Sequence, residues 1–343
     1  MTPAPQLADW VVRHLPAACR VRQPLELLPL PGDAGFRRYF RVATEPTVMA
    51  TYAPPSREDL PAFVTKARAL ARSGVRVPRV YAVDYERGFL LQEDLGTVLM
   101  AAALGTEAAD ACYRQALDML RGIQRTEPDP AIFPAYDAAL LQGELALFPH
   151  WFVGQLLGVT LGGDELQLLA EIDACLVANA DEQPRVVVHR DYHCRNLLRG
   201  EPDLGVVDFQ DAVIGPVTYD LVSLLRDCYH RLGEGELEHY FDRYLDAMAV
   251  PPAARPQWRR WFDLMGLQRH LKVLGIFARL WLRDGKPGYL DDLPLVIRYV
   301  LEVAGHYAET QHFSAWFAAR LLPELVRQPW YRDWKTAGEP CAP

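Results

Sequence analysis

The feature that most constrains the fold is a pair of short apolar runs, each followed at once by polar side chains. Residues 186–188 are three valines, and they lead into the sequence His-Arg-Asp-Tyr-His-Cys-Arg-Asn at residues 189–196. A second run at residues 206–207 leads in the same way to Asp208, 12 residues after Asn196. Short apolar runs bounded by polar loops are typical of buried strands. We therefore predict two short strands that each deliver a polar group to one edge.

The pattern of the chain changes once along its length. In the first 95 of 343 residues, runs rich in β-branched and aromatic side chains surround one main helical segment at 56–72. The predicted strands are residues 25–30, 37–43, 48–52, 80–83 and 88–93, after a short amphipathic helix at 6–18. Beyond them, helical spacing dominates, at residues 106–125, 137–157, 164–180, 218–230, 235–248, 257–283, 292–309 and 314–327. We expect an α+β fold with a small β-rich lobe at residues 1–95 and a large, mainly helical lobe at residues 96–343.

Composition argues against several classes of protein. The net charge of −8 argues against wholesale nucleic-acid binding. No apolar stretch reaches the ~18 residues of a membrane span. The N-terminal residues lack the basic start of a signal peptide, so we expect a cytoplasmic protein with no membrane partner. The six cysteines include no C-x-x-C pair and are widely spaced, which argues against a zinc site and a disulfide framework.

The polar residues after the two apolar runs suit phosphoryl transfer from ATP. That reaction needs a carboxylate to take the proton of the attacking hydroxyl, and oxygen ligands to hold Mg²⁺ against the phosphates. Asp191 fits the base, and Asn196 and Asp208 fit the oxygen ligands. Each residue alone is a common loop former, but D-x-x-x-x-N followed by D-F matches the catalytic loop and metal-binding segment of kinases.

These residues resemble a known family. The spacing that begins at Asp191, followed by Asp208-Phe209, is similar to the aminoglycoside phosphotransferase and choline kinase family, which has a protein-kinase-like bilobal fold. The resemblance covers most of the chain and implies ATP and Mg²⁺ as cofactors. It also implies a hinge at residues 91–96 that binds adenine, with Gln92, Glu93, Asp94 and Leu95.

Several blocks resemble more narrowly a group of bacterial kinases that phosphorylate N-acetylmuramate and N-acetylglucosamine at the anomeric hydroxyl during peptidoglycan recycling. The blocks are residues 32–41, 189–197, 208–212, 215–221 and 268–275. The resemblance implies a small amino-sugar substrate. Nothing in the sequence indicates an obligate protein partner.

The nucleotide side departs from the kinase pattern at one position. Kinases place a lysine on the third strand of the small lobe, but the predicted strand at residues 48–52 contains none. We predict that Arg38 or Arg41 supplies the missing charge, since a guanidinium can grip phosphate oxygens with two parallel hydrogen bonds. The alternative is a solvated strand edge. Gly32 and Gly35 are predicted to let backbone N–H groups approach the phosphates.

Candidate substrate contacts follow from position in the sequence. The residues beside the catalytic groups that are predicted to contact sugar hydroxyls are His193, Arg195, Gln210 and Asp211. Muramate carries a lactyl carboxylate, and the candidate basic partners are Arg226, Arg269 and Lys272. The alternative for each of these three is a surface charge. Asp220 is predicted to hydrogen-bond the backbone of the catalytic loop.

Two other functions fit the same residues. An aminoglycoside or choline kinase would need an acidic pocket for a cationic substrate, and the candidates for it are Asp211, Glu234, Glu236 and Glu238. A pseudokinase that binds nucleotide without turnover would explain the missing strand lysine. Retention of Asp191, Asn196 and Asp208 argues against the pseudokinase, because an inactive site needs none of them.

Overall fold

The computed structural model describes residues 6–21, 25–30, 36–200 and 203–339. The chain divides into two compact units. One comprises Met1–Phe133 and Arg195–Ala212, and the other comprises Pro134–Cys194 and Val213–Pro343. The described part of the first unit holds most of the strands, and that of the second holds most of the helices, as the α+β prediction requires. The predicted lobe division after residue 95 rests on composition alone and stays a prediction.

The first unit is built on an antiparallel sheet. Its strands before residue 95 are β1 (Arg20–Val21), β2 (Leu27–Pro29), β3 (Arg38–Val42), β4 (Thr44–Glu45), β5 (Val48–Tyr52), β6 (Val80–Asp84) and β7 (Phe89–Glu93). Five of them form one sheet in the order β2-β3-β5-β7-β6, and β1 pairs with β4. Alternate side chains of β3 and β5 point to one face, where helix α1 (Leu7–His14) adds Leu7, Trp10 and Val11 to a shared apolar core. The five strand predictions for this region are confirmed: β5 has the predicted bounds, β6 is one residue longer, and β2, β3 and β7 are shorter.

Two helices and a hairpin complete the first unit. Helix α2 (Leu60–Arg72) begins at Asp59, whose carboxylate accepts the N–H of Ala62 at 2.9 Å. A short 3₁₀ turn at Met100–Ala103 precedes helix α3 (Ala109–Gln124). Strands β9 (Leu197–Arg199) and β10 (Leu204–Val206) form a hairpin far along the chain. The hairpin joins this unit through backbone bonds from Val206 to Arg76 at 2.8 Å and from Arg199 to Val98 at 2.7 Å.

The second unit is mainly helical. Its helices are α4 (Ala138–Leu145), α5 (Gly163–Asp181), α6 (Tyr219–Leu225), α7 (Glu234–Ala247), α8 (Arg255–Leu282), α9 (Leu293–Ala304), α10 (Gln311–Trp316) and α11 (Leu322–Val326). Short 3₁₀ turns lie at Pro252–Ala254, Pro287–Leu290 and Trp334–Thr336. Strands β8 (Arg185–Val188) and β11 (Val213–Pro216) form an antiparallel pair. Helix α8 is buried almost continuously from Phe262 to Gly275 and packs against α5, α6 and α9, so it is the centre of this unit. In the described ranges, every helix is either too short or too polar to cross a membrane.

Three sequence predictions need correction in this unit. The predicted helix at residues 137–157 is wrong as one helix, because α4 ends at Leu145 and a π-helical segment, Phe148–Leu156, follows. Pro149 lies in the first turn of that segment and has no N–H for the regular α-helical bond. The predicted helix at residues 314–327 is divided in the same way by a π-helical segment at Phe317–Leu321. Strand β11 was not predicted, because its Gly-Pro end is typical of a turn.

Gly275 provides a test of the packing of α8. A Cβ atom at this position would lie 2.5 Å from the backbone carbon of Leu147. We expect Gly275→Ala to destabilise the protein by about 1–3 kcal/mol, as overpacked cores do, and to lower Tm in a thermal melt. The control is Gly143→Ala in α4, where a Cβ meets nothing within 4 Å and should be neutral or stabilising. Equal Tm values for the two variants would contradict this packing.

Candidate active site

Asn196 and Asp208 lie at the open end of the β9–β10 hairpin. Leu197 pairs with Val206 in that hairpin, and the N–H of Val207 then donates to the carbonyl oxygen of Asn196 at 3.1 Å. Asp208 follows with a φ of 67°, a left-handed conformation in which Asp is several-fold enriched. The two predicted metal ligands therefore occupy neighbouring positions in the first unit.

The segment after Asp208 is fastened to helix α2. The ring of Phe209 stacks on that of Phe63 at 4.8 Å and 27°. The buried ammonium of Lys66 donates to the carbonyl oxygens of Gln210 at 2.6 Å and of Ala212 at 3.0 Å. Sequence reasoning missed this role of Lys66. The signal was its spacing, three residues after Phe63 and so on the same buried face of the helix.

In the second unit, a buried carboxylate fixes the start of the loop that carries Asp191. Strand β8 delivers the chain to His189, and Asp220 in the first turn of α6 accepts the N–H of His189 at 2.6 Å and of Arg190 at 3.0 Å. The predicted role of Asp220 is confirmed. Burial raises the pKa of Asp220 to about 6, although the charge of His189 and the two N–H groups oppose that rise. Arg190 is held at a φ of 77°, which is unfavourable for a bulky side chain and needs such an anchor.

A second carboxylate fixes the end of the same loop. Asp227 accepts the N–H of Cys194 at 2.9 Å through one oxygen and the N–H of Tyr229 at 2.9 Å through the other. Asp227 is 1% exposed. Sequence reasoning missed it, because Asp227 lies beyond the end of α6 and is 33 residues from Cys194 along the chain.

The surroundings of Asp191 favour its ionised form. Burial alone would raise the pKa of Asp191, but the charges of Lys272, His193 and Arg269 outweigh burial and hold that pKa below its ordinary value. A carboxylate that stays ionised can orient a hydroxyl and accept its proton. The structure therefore places two of the predicted substrate-binding cations, Arg269 and Lys272, in the electrostatic environment of the predicted base.

Those two cations are buried, so the surface-charge alternative is wrong for both. Arg269 is 2% exposed, and its Nε donates to the Ser223 hydroxyl at 2.6 Å. Lys272 is 7% exposed, and its ammonium lies 2.9 Å from the Glu144 carboxylate and 3.0 Å from the Tyr219 hydroxyl. The attraction of Tyr219 and Glu144 raises the pKa of Lys272 despite burial, which lowers it.

Glu144 is the hub of this buried cluster and was not predicted. Besides Lys272, its carboxylate accepts hydrogen bonds from Arg190 and from the Tyr136 hydroxyl. Burial raises the pKa of Glu144, but the charges of Lys272 and Arg190 more than offset this and lower it. Its charged partners, Arg190 and Lys272, are 46 and 128 residues away along the chain, so no local sequence motif indicates the cluster.

The other predicted substrate residues lie in varied environments. Arg226 pairs with Asp263 at 2.6 Å and lies over the ring of Phe262, so part of its guanidinium group already has partners within the protein. His193 is buried edge-on against Tyr229 at 5.2 Å, and burial lowers its pKa. Arg195 and Asp211 are each exposed. Contacts of these residues with a sugar stay predictions.

On the nucleotide side, Gly32 and Gly35 lie outside the described residues. Arg41 forms a two-point ion pair with Asp94 in the predicted hinge, with one contact at 3.0 Å. Arg38 is exposed and shares the strand face of Phe40 and Val42, which packs on α1. Both geometries weigh against the phosphate-binding role predicted for the two arginines, which nevertheless stays a prediction.

The predicted hinge is ordered by its side chains. Glu93 pairs with Arg76 at 2.8 Å, and the N–H of Gly96 donates to Asp94 at 2.9 Å. Gln92 and Leu95 are buried, at 6% and 7% exposure. This segment lies at the end of β7, which is flanked by β5 and β6, and adenine is predicted to bind there.

Comparison with known proteins decides the family. The sequence profile of the phosphotransferase enzyme family, APH, matches residues 26–261. The chain belongs to this family. The match includes the catalytic loop, the hairpin and the segment that follows Asp208.

Named relatives share most of the length of the chain. N-acetylmuramate/N-acetylglucosamine kinase of Pseudomonas aeruginosa is 46% identical over 283 residues, which is 81% of this chain and 83% of the relative. The protein of that name from Neisseria meningitidis serogroup B is 38% identical over 333 residues, 94% of this chain and 95% of the relative.

Solved structures show the same fold. The ethanolamine kinase of Plasmodium vivax aligns with a TM-score of 0.59 at 9% identity, covering 80% of this chain and 81% of that one. The ADP-bound aminoglycoside phosphotransferase APH(2'')-Ib aligns with a TM-score of 0.57 at 15% identity, covering 87% and 98%. The phosphotransferase-like, protein-kinase-like fold class predicted from the sequence is confirmed.

The charge of Lys272 gives a prediction about pH. In Lys272→Met the pKa of Asp191 should rise, because the first of the charges that lower it is removed. The ionised form would then be lost at a higher pH, so the acidic limb of the kcat/KM profile should move upward. The control is Lys335→Met, an exposed lysine. An unchanged acidic limb, in a variant that remains folded, would contradict the electrostatic assignment.

Proposed function

We propose that this protein is an ATP-dependent kinase that phosphorylates the anomeric hydroxyl of N-acetylmuramate and N-acetylglucosamine. The observation that carries the proposal is its 46% identity, over 81% of the chain, to a kinase named for these two sugars. The proposed context is peptidoglycan recycling in the cytoplasm, where ATP is available as the phosphoryl donor.

Asp191 is the proposed base. Its low pKa is no obstacle, because an anomeric hydroxyl is more acidic than an ordinary alcohol and needs orientation more than a strong base. The loop clamped by Asp220 and Asp227 holds the carboxylate in one conformation, which suits an in-line attack on the γ-phosphate.

Asn196 and Asp208 are the proposed Mg²⁺ ligands. Their donor set fits this cation, since Mg²⁺ takes one or two protein oxygen ligands and completes its shell with phosphates and water. Within the described residues no group of three or more His, Cys, Asp or Glu side chains is arranged to hold a metal, so phosphate oxygens would be needed. When bound, the cation neutralises charge that develops on the phosphates.

The charges near Asp191 also bear on the substrate class. Arg269 and Lys272 would repel the ammonium groups of an aminoglycoside or choline, whereas acetylated amino sugars carry none. A lactyl carboxylate would be attracted by the same two cations. This favours an amino-sugar substrate over the cationic substrates of other members of the fold.

A sugar panel tests the proposal. We expect ATP consumption in the presence of Mg²⁺ with N-acetylmuramate and N-acetylglucosamine, and ³¹P and ¹H NMR should locate the new phosphate on the anomeric oxygen. Choline and kanamycin should give no turnover above background. Turnover with either of these alone would replace the substrate assignment, and no turnover with any acceptor, despite ATP binding, would favour a pseudokinase.

Asp191 has its own test. Asp191→Asn should lower kcat by at least ~10²-fold, because it removes the proton acceptor, while nucleotide affinity stays close to that of the native protein. The matched control is Asp118→Asn on the exposed face of α3, which should keep its activity. Normal turnover in Asp191→Asn would remove Asp191 from its assigned role.

A further inference from the structure

The strand lysine of kinases has no counterpart on β5. Kinases pair that lysine with a helix glutamate. Here Arg37, directly before β3, pairs instead with Glu58, directly before the N-cap of α2, at 2.9 Å. Their side chains are 12% and 14% exposed, so solvent screens this pair less than an open surface pair.

We propose that Arg37, anchored by Glu58, positions the metal-binding carboxylate of Asp208 through the amide of Gln210. The inference rests on the proposed function, because it takes Asp208 as a ligand of nucleotide-bound Mg²⁺. It gives Gln210 a positioning role inside the protein in place of the predicted contact with substrate.

Two hydrogen bonds connect Arg37 to Asp208 through Gln210, and both donate in the direction of Asp208. Nη1 of Arg37 donates to Oε1 of Gln210 at 3.1 Å, and Nε2 of Gln210 donates to Oδ1 of Asp208 at 2.6 Å. A guanidinium only donates and an ionised carboxylate only accepts, so these partners allow one orientation of the amide. The bond therefore restrains the orientation of the Asp208 carboxylate, the group proposed to bind the cation.

A stacked route connects the same residues independently. The Arg37 guanidinium lies over the ring of Phe63 at 4.7 Å, and Phe63 stacks on Phe209, the residue between Asp208 and Gln210. Lys66 holds the carbonyl oxygen of Gln210 from the same helix. The segment that carries Asp208 is therefore fixed on both its polar and its apolar side.

Strand alternation distinguishes Arg37 from its neighbour. Arg38 shares the face of Phe40 and Val42, where α1 packs, whereas Arg37 belongs to the opposite set of alternate positions.

Asp208 needs support from neighbouring side chains, because it is exposed and its backbone is left-handed. Outer groups that hold a ligating carboxylate typically change metal affinity or activity by ~10–100-fold when they are removed.

The test measures binding of a fluorescent ATP analogue as a function of Mg²⁺, which does not depend on turnover. Gln210→Leu should raise the half-saturating Mg²⁺ concentration by about 10-fold or more. Arg37→Met should raise it too, and should have a smaller effect in the Gln210→Leu background than in the native protein, since the two residues share the polar route. Arg68→Met, which removes an exposed charge from α2, is the control, and thermal melts confirm that each variant is folded.

The outcomes separate the two proposals. Failure of the native protein to bind the analogue with Mg²⁺ would sink the proposed function. Native binding with unchanged Mg²⁺ dependence in folded Gln210→Leu would overturn only the positioning role. Equal loss of affinity in Arg37→Met with and without Mg²⁺ would also overturn it, because Arg37 would then contact the phosphates directly.

Discussion

The conformation of the loop that carries Asp191 depends on one buried carboxylate, that of Asp220. It accepts two consecutive backbone N–H groups, at His189 and Arg190, and is 1% exposed. An arginine at a φ of 77° would relax to a more common conformation if its N–H were released. Burial raises the pKa of Asp220 to about 6 and so disfavours its ionised form, and the charge of His189 together with the two N–H groups opposes that rise. Asp220 therefore holds the backbone of the two residues that precede Asp191.

The charges around Asp191 are stable only as a group. Glu144, Lys272 and Arg190 are each largely withdrawn from solvent, and breaking such a pair by removing one partner typically costs roughly 3–5 kcal/mol. A hydrophobic replacement of the whole group could be equally stable. The cluster also acts on Asp191, because the charge of Lys272 lowers the pKa of that carboxyl group. Burial opposes ionisation of Asp191, and the positive charge of Lys272 outweighs that effect together with the other nearby charges.

The sequence was informative wherever the relevant pattern is local. The β-rich beginning, the helical remainder, and the two short strands before Asp191 and Asp208 follow from periodicity and spacing. The contacts of Arg37 with Glu58 and Gln210 were not predicted, because they depend on which face of the sheet the side chain takes, and the start of β3 decides that. Glu144 and Asp227 were missed because their partners come together only in the folded chain. The π-helical segments were missed because helical periodicity does not distinguish them from α-helix.

Two of the few lysines, Lys66 and Lys272, are buried, and their contacts explain why lysine occupies these positions. The chain has only four lysines, and Lys66 and Lys272 both lie inside the protein. Lys66 reaches two carbonyl oxygens of one loop, and Lys272 reaches a carboxylate and a phenol. A compact ammonium can aim its three donors at such converging partners, whereas the planar fork of arginine suits flat, two-point partners such as Asp94 bound by Arg41. Coding bias can set how rare lysine is, but the geometry of these two sites accounts for lysine at these positions.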